Sequence, residues 1–189
     1  MTKKFTAKEK GFTLVETLVA LSIFTLSILG MIVILAGGTS NVGYAKGKIV
    51  STYLSQEGIE LVRNFRDEQY LNSQGWAAFQ QAAAGCAVNG CIIQSDRTAG
   101  YAVSMQACPP PSGGAQSGCA VLSRDNGAGS SGLHGYAMLN STPTPYQREI
   151  RITQVGSSGD ELRVDSIVYW TYRGNKYSTA SVEHLFNWQ

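Results

Sequence analysis

The segment KEKGFTLVETLVALSIFTLSILGMIVILAG, from Lys8 to Gly37, decides the fold of this chain. It opens with a short basic stretch that ends at Gly11, and an apolar run then extends from Phe12 to Ala36. The 23 residues from Leu14 to Ala36 would form a helix of roughly 35 Å, against a hydrocarbon core of about 30 Å in a bilayer. The sequence therefore predicts a membrane-spanning helix.

One carboxylate, that of Glu16, lies inside the apolar run. Insertion scales put the cost of a charged side chain at the bilayer centre at about 2.5–3.5 kcal/mol. Glu16 follows Phe12 by four residues, which places it about 6 Å into a helix and near the interface, where the cost is lower but still real. A carboxylate kept at such a position indicates a function.

The hexapeptide Gly11-Phe12-Thr13-Leu14-Val15-Glu16, with lysines before it and an apolar helix after it, resembles the class III signal of type IV pilins and pseudopilins. The resemblance covers only the leader and the apolar run. It implies that a membrane-embedded prepilin peptidase cuts between Gly11 and Phe12 and then N-methylates Phe12. It also implies that Glu16 pairs with the N-terminal ammonium of a neighbouring subunit in the filament.

Elementary electrostatics agrees with that pairing. Cleavage would leave an ammonium on Phe12 in a medium of low dielectric constant, where an unpaired ammonium and an unpaired carboxylate are each disfavoured and attract one another strongly. Pairing between subunits would favour one axial register of assembly. The alternative is an ordinary secretory signal peptide, with an apolar core of about 7–15 residues and a cut after small residues, here near Ala36, Gly37 and Gly38.

The charges predict the topology of the span. The leader contains Lys3, Lys4, Lys8, Glu9 and Lys10. The positive-inside tendency places this end in the cytoplasm and the remainder of the chain outside the cytoplasmic membrane. Loss of the leader would remove a side-chain charge of +3 and change the net charge of the chain from +2 to −1. No basic run follows the leader, so a nucleic-acid partner is not predicted.

Four cysteines, Cys86, Cys91, Cys108 and Cys119, agree with an oxidising compartment. Three pairings are possible, and local spacing in turn-rich sequence favours Cys86–Cys91 and Cys108–Cys119. A four-cysteine zinc site is the alternative. About two to four residues usually separate paired zinc ligands. The first pair fits that spacing, and the second pair, with ten residues between its members, does not.

The helix should continue beyond the span. Glycines at 37, 38, 43 and 47 weaken the stretch 37–47 and predict a kink or a locally melted segment. A helical period then returns, which predicts an amphipathic helix packed on a globular head. Its apolar stripe comprises Val50, Leu54, Gly58, Leu61 and Phe65, with Ile49, Tyr53 and Val62 beside it.

The rest of the chain predicts a head rich in strands. Trp76 to Ala82 is typical of a short helix, and Asn126 to Gly135 of a flexible loop. Alternating polarity predicts two strands in the middle and an antiparallel meander of three at the end. These strands are Tyr101–Gln106, Cys119–Leu122, Tyr146–Val155, Glu161–Tyr172 and Tyr177–Phe186.

These elements define an α+β fold. A long N-terminal helix, transmembrane in its first half and amphipathic in its second, would pack on an antiparallel β-sheet head. The expected organisation is a cleaved leader at 1–11, a transmembrane helix at 12–36, a helix continuation at 37–69 and a globular pilin-like head at 70–189.

Catalytic motifs are missing from the sequence. The two histidines, His134 and His184, match no HExxH spacing, and neither a GxSxG motif nor a phosphate-binding glycine loop occurs. His134 is interpreted as a solvated loop residue and His184 as a strand residue with one face exposed. We expect no cofactor, no metal and no enzymatic activity.

The resemblance implies a prepilin-like structural subunit of a type IV pilus or a related filament, assembled through its N-terminal helix. The implied partners are other pilin subunits, the prepilin peptidase, an inner-membrane assembly platform and membrane lipid before assembly. The implied location is the cytoplasmic membrane, with a cytoplasmic N-terminus, and then an extracellular or envelope-spanning filament. The alternatives are a pseudopilin of a type II secretion or DNA-uptake system and, from a different class, an exported domain that is anchored in the membrane and never polymerises.

Overall fold

A computed structural model describes residues 11–96, 102–126, 134–136 and 141–187 of the chain. The chain divides into two compact units, Met1–Gly43 and Tyr44–Gln189. Helix α1 (Leu14–Leu71) begins in the first unit and ends in the second. Helix α2 (Gly75–Ala83) and a 3₁₀ turn (Ala84–Cys86) follow it. The strands are β1 (Cys91–Asp96), β2 (Ala102–Ala107), β3 (Val121–Asp125), β4 (His134–Gly135), β5 (Ser141–Gln154), β6 (Glu161–Tyr172) and β7 (Asn175–Phe186).

In its described residues, the first unit comprises residues 11–13 followed by the N-terminal part of α1. This helix is long and apolar enough to cross a membrane, as its length and composition predict. The large apolar side chains of the described part of this unit are exposed, among them Phe12, Leu14, Phe24 and Leu35. The stretch 37–47 is helical throughout, so the predicted locally melted segment is wrong. Glycine weakens a helix by up to about 1 kcal/mol per residue, and the helical sequence on both sides outweighs that penalty.

The second unit is built on one antiparallel sheet. Strands β5, β6 and β7 form the predicted meander, which the register Tyr146↔Trp170↔Tyr177 confirms. On its other side β5 pairs with β3 and, at Ile150, with β1; β2 continues beyond β1 and the two-residue β4 beyond β3. Long α1, α2 and this sheet give the α+β, pilin-like architecture that the sequence predicts.

Small residues of α1 form the face that meets the sheet. The hydroxyls of Ser51 and Ser55 lie 3.0 Å and 2.7 Å from those of Thr179 and Ser181 on β7. A side chain at Gly47 would contact Trp170, and one at Gly58 would contact Ser166, Ile150 and Arg148. The helix therefore approaches the strands more closely than larger residues would permit.

The core confirms most of the predicted apolar stripe. Leu54, Gly58, Val62 and Phe65 of the predicted set are buried, and so is Ile59, which the pattern did not include. Residues of α2 and of the three long strands complete the core. Ile49 and Tyr53, which the pattern placed beside the stripe, are 57% and 69% exposed. That part of the prediction is wrong, because the contact face at this level consists of Gly47, Ser51 and Ser55 and turns the two larger side chains outward.

The strands in the middle of the chain were only partly predicted. Strands β2 and β3 and helix α2 occur close to where the pattern placed them, whereas β1 was not predicted. Two residues of the predicted loop Asn126–Gly135, His134 and Gly135, form β4 instead. Residues 127–133 of that loop, and Tyr101, lie outside the described residues.

Two disulfides hold the segment between α2 and β5. Cys86 is bonded to Cys91, with 4.9 Å between their Cα atoms, and Cys108 to Cys119, with 4.8 Å. These are the pairs that the spacing favoured. All four cysteines are buried. The Gln147 side-chain amide donates to the carbonyls of Ser117 and Cys119, which fixes the second bridge beside β5.

Replacing Gly58 with Ala should destabilise the second unit. Alanine gains about 1 kcal/mol of helix propensity, but its Cβ would lie 2.9 Å from Ile150 Cδ1 and 3.0 Å from Arg148 Cδ. Overpacking of this kind costs about 1–3 kcal/mol, so we expect a net loss of unfolding free energy. Denaturant unfolding of the detergent-solubilised chain, followed by near-UV circular dichroism, measures it. The matched control is Gly38→Ala in the same helix, whose Cβ meets nothing within 4 Å; equal midpoints for the two variants would contradict the close contact.

Peptide mapping without reduction should recover Cys86 joined to Cys91 and Cys108 joined to Cys119. Replacing Cys108 and Cys119 by Ala should lower the unfolding free energy by about 2–4 kcal/mol in the chain-entropy view. The same double replacement at Cys86 and Cys91 serves for comparison. That bridge closes a loop of sequence separation 5 rather than 11, so its removal should lower the unfolding free energy by less. Free thiols in protein taken from its native compartment, or stoichiometric zinc, would contradict the bridges.

Candidate functional site

The start of α1 brings the residues of the N-terminal motif together. Gly11, Phe12 and Thr13 precede the helix, and Leu14 is its first residue. The hydroxyl of Thr13 accepts a hydrogen bond from the backbone N–H of Glu16 at 3.3 Å. Thr13 therefore caps the helix, and Glu16 occupies its first turn.

The spacing Thr13-x-x-Glu16 is that of a capping box. A carboxylate in the first turn also favours the helix through its interaction with the positive end of the helix dipole. Glu16 thus has a local structural role that the sequence analysis missed, although the pattern Ser/Thr-x-x-Glu before an apolar run is its signal. The Glu16 side chain is exposed, so the cap leaves it accessible to another group.

Hydroxyl groups further along the apolar run are satisfied within the helix. Thr17, Ser22, Thr25 and Ser27 each donate to a backbone carbonyl three or four residues earlier, at 2.7–2.9 Å. Such bonds allow hydroxyls to lie in hydrocarbon without an unpaired donor. A carboxylate has no proton to donate when it is ionised, so Glu16 cannot be satisfied in the same way.

A buried arginine joins the main elements of the second unit. Arg148 on β5 is 1% exposed, and its guanidinium donates to the carbonyls of Leu54 on α1 and Ile93 on β1 at 3.2 Å and 3.1 Å. It also lies 3.3 Å from a carboxylate oxygen of Glu57. The Tyr136 hydroxyl donates to the Arg148 carbonyl at 3.2 Å, and burial raises the pKa of Tyr136. These bonds engage both terminal nitrogens of the guanidinium, while its buried Nε has no hydrogen-bond partner among the described residues. The arrangement links α1, β1 and β5 and indicates a structural role.

A groove between α1 and β7 is occupied by ion pairs. The guanidinium of Arg63 on α1 lies 2.6 Å from Glu60 and 2.6 Å from Glu183 on β7. The hydrogen bond to Glu183 raises the pKa of Arg63. Opposite charges are therefore paired across the groove, and the pairing fastens the helix to the edge strand.

In the part of the chain that the structure describes, the two histidines do not come together. His184 lies on β7, half exposed, with its Nδ1 2.6 Å from Glu161 on β6. His134 belongs to β4, away from that pair in the sheet order. Within the described ranges, no group of three or more His, Cys, Asp or Glu residues is placed to hold a metal ion.

Comparison with known families locates one match. Residues 6–36 match the model of the prokaryotic N-terminal methylation motif. The match contains Gly11, Phe12 and Glu16 and ends where the apolar run ends. No curated protein and no solved structure matches the chain at a significant level. The chain therefore carries, on an α+β pilin-like architecture, the N-terminal methylation motif that is the class III signal of type IV pilin-like proteins.

Proposed function

We propose that the chain is a prepilin-like structural subunit of a type IV pilus or a related filament. In this proposal a prepilin peptidase cuts between Gly11 and Phe12 and methylates Phe12, and the subunit is then assembled through α1. One observation carries the proposal. Glu16 is an exposed acid in the first turn of an exposed apolar helix, and that helix begins two residues after Phe12 of the Gly11-Phe12 pair.

The exposed helix needs a partner. A contiguous apolar surface of this size is unfavourable in water and marks a surface that binds lipid or protein. Before assembly, membrane lipid would cover it, and in a filament the same helix of other subunits would do so. One surface can serve both partners because both present hydrocarbon to it.

Glu16 would select the register of assembly. The new ammonium on Phe12 and the carboxylate of Glu16 lie on one chain at the same end of the helix, and each is disfavoured in hydrocarbon when it is unpaired. A neighbouring subunit displaced along the filament axis can bring its ammonium to this carboxylate. The head, with two disulfides, would lie outside the cytoplasmic membrane, where such bonds persist.

The proposed role is structural rather than catalytic. Buried polar groups of the second unit, among them the terminal nitrogens of Arg148 and the hydroxyls of Ser51 and Ser55, bond to backbone or to other side chains of the same unit. A pseudopilin of a secretion or DNA-uptake system is the alternative within the class. An exported domain anchored by α1 that does not polymerise is the alternative outside it.

Processing is tested at Gly11. A bulky residue such as Leu at this position would hinder access of the peptidase to the peptide bond, so Gly11→Leu should leave the leader attached. Intact mass and N-terminal sequencing of the membrane fraction should find the full-length precursor, whereas the wild-type chain begins with N-methylated Phe12. The control is Gly30→Leu, since a Cβ at Gly30 meets nothing within 4 Å. A wild-type yield of mature product from Gly11→Leu would contradict the proposed processing. A mature wild-type chain that begins near Gly38 would indicate an ordinary signal peptide.

Assembly is tested with Glu16→Gln. Glutamine preserves the capping-box pattern and removes the charge, so the start of α1 should be unchanged and insertion into the membrane should be equal or easier. Incorporation into filaments should fall, because the ammonium of the neighbour would lose its counter-charge. The variant is expressed beside the filament machinery, and its amounts in membranes and in sheared filaments are compared with wild type.

Glu16→Ala serves as the comparison, since it removes both the charge and the capping-box pattern. Filament loss with Ala but not with Gln would assign Glu16 to helix capping and contradict the ion pair. Recovery of the wild-type chain in sheared surface filaments favours a pilus, retention in the envelope favours a pseudopilin, and a chain that joins no filament favours the anchored domain.

A further inference from the structure

Residues 44–48 of α1 lie beside the hairpin that joins β6 to β7. The rings of Tyr44 and Tyr177 are 5.0 Å apart, and those of Trp170 and Tyr177 are 5.6 Å apart. A side chain at Gly47 would approach Trp170 Nε1 to 2.8 Å. This end of the second unit therefore combines the first helical turns of that unit with the hairpin tip.

Four cations gather at this end and are named here the basic collar: Lys46, Lys48, Arg173 and Lys176. All four side chains are exposed. The two segments that carry them, 44–56 and 166–182, contain no Asp or Glu. The last residues of β3, Arg124 and Asp125, pair with Thr142 and Ser141 of β5 and add one charge of each sign at this end of the sheet. The Nζ of Lys176 donates to the carbonyl of Gly114 at 2.7 Å, which orders this lysine without neutralising it.

Acidic residues lie at the opposite end of the same unit. There α1 ends beside the turn between β5 and β6 and the last residues of β7, as the hydrogen bond from Tyr70 to Asn187 shows. The acids toward this end are Glu60, Asp67, Glu68, Asp160, Glu161 and Glu183. Arg63 and Arg66 pair with three of them, so this end combines both signs of charge, whereas segments 44–56 and 166–182 at the other end carry cations alone.

The hairpin tip holds a cation in an unfavoured backbone conformation. Arg173 has φ +50° and Gly174 has φ +79°, and both values belong to a two-residue type I′ turn. Asn, Asp and Gly are preferred at the first of these positions, and a long side chain there is uncommon. The Arg173 guanidinium lies 5.6 Å from the ring centre of Tyr172.

The aromatic neighbours of the collar suit a membrane interface. Tyr44, Tyr172 and Tyr177 are partly exposed beside the cations. Tyrosine combines an apolar ring with a polar tip and is enriched, with Lys and Arg, at the boundary between hydrocarbon and water. Tyr44 follows Ala36 by eight residues, which even fully extended span at most about 29 Å. In sequence, the collar therefore begins shortly after the apolar run ends.

We propose that the basic collar binds the phosphate groups of anionic phospholipids at the membrane surface from which α1 emerges. The contact would orient the second unit on the membrane before the subunit enters a filament. Clusters of Lys and Arg next to a span attract anionic lipid within about a Debye length of the surface. The inference rests on the proposed anchoring of the chain by α1.

Lysine footprinting tests the proposal with native residues. Once the leader is removed, Lys46, Lys48 and Lys176 are the only lysines left in the sequence. The processed full chain is reconstituted in vesicles of phosphatidylcholine alone or with phosphatidylglycerol. Reductive methylation with formaldehyde and the hydride donor dimethylamine–borane, both of which are neutral reagents, is followed by mass spectrometry. We expect all three lysines to react several-fold more slowly in the anionic vesicles, and high salt to remove the difference because it screens the charges.

Two variants supply the controls. Arg163→Lys adds a reporter lysine on β6 outside the collar, at a half-exposed position, and its rate should be the same in both vesicles. Arg173→Asn removes a collar charge while placing a preferred residue in the turn, so it should keep the fold and reduce the protection of the three lysines.

Each other outcome has its own meaning. Equal rates in the two kinds of vesicle, with the chain retained in both, contradict lipid binding by the basic collar and leave the proposed function unaffected. Protection that is equal in both and grows with the ratio of protein to lipid overturns lipid binding in favour of a second copy of the chain. If the vesicles do not retain the chain, the proposed anchoring by α1 is wrong. Lipid binding by the basic collar, which rests on that anchoring, is then wrong as well.

Discussion

The apolar side chains at the start of α1 are exposed, and none of the described residues of the first unit, 11–43, covers them. Water is a poor solvent for such a surface, so lipid or other protein must cover it. This requirement explains why the hydroxyls of Thr17, Ser22, Thr25 and Ser27 are bonded to their own helix. The carboxylate of Glu16 differs from these hydroxyls, because an ionised acid cannot donate a hydrogen bond to a carbonyl of its own helix.

The same helix solves a different problem in the second unit. There it must lie close to a sheet, and Gly47, Ser51, Ser55 and Gly58 supply a face without bulk. Hydroxyl pairs with β7 and the ion pair from Arg63 to Glu183 then fix its position along the edge strand. Helix α1 therefore presents large apolar side chains in the first unit and a face of small residues, packed closely on the sheet, in the second.

Much of this architecture follows from local pattern. The apolar run, the alternating strands β5, β6 and β7 and the spacing of the cysteines each depend on residues near one another in sequence. Strand β1 escaped prediction because CIIQSD has no sustained alternation, and its pairing with β2 is what defines it. The burial of Arg148 escaped as well, since a guanidinium enters a core only when it is bonded, and its partners Leu54 and Ile93 are distant in sequence. The contact face of α1 was misjudged at Ile49 and Tyr53 because hydrophobicity alone cannot reveal that the opposing strand carries Thr179 and Ser181.

The packing of α1 on β7 has a practical consequence for anyone preparing the head as a soluble fragment. The compact unit begins at Tyr44, well before the helix ends at Leu71. A cut placed at the helix end would remove Val62 and Phe65 from the core, uncover the strands beneath them and leave the bonded face of β7 bare. Exposed strands of that kind pair with one another and aggregate. The useful boundary therefore lies inside the helix, between the end of the apolar run and Tyr44, where the domain border and the border of the secondary-structure element do not coincide.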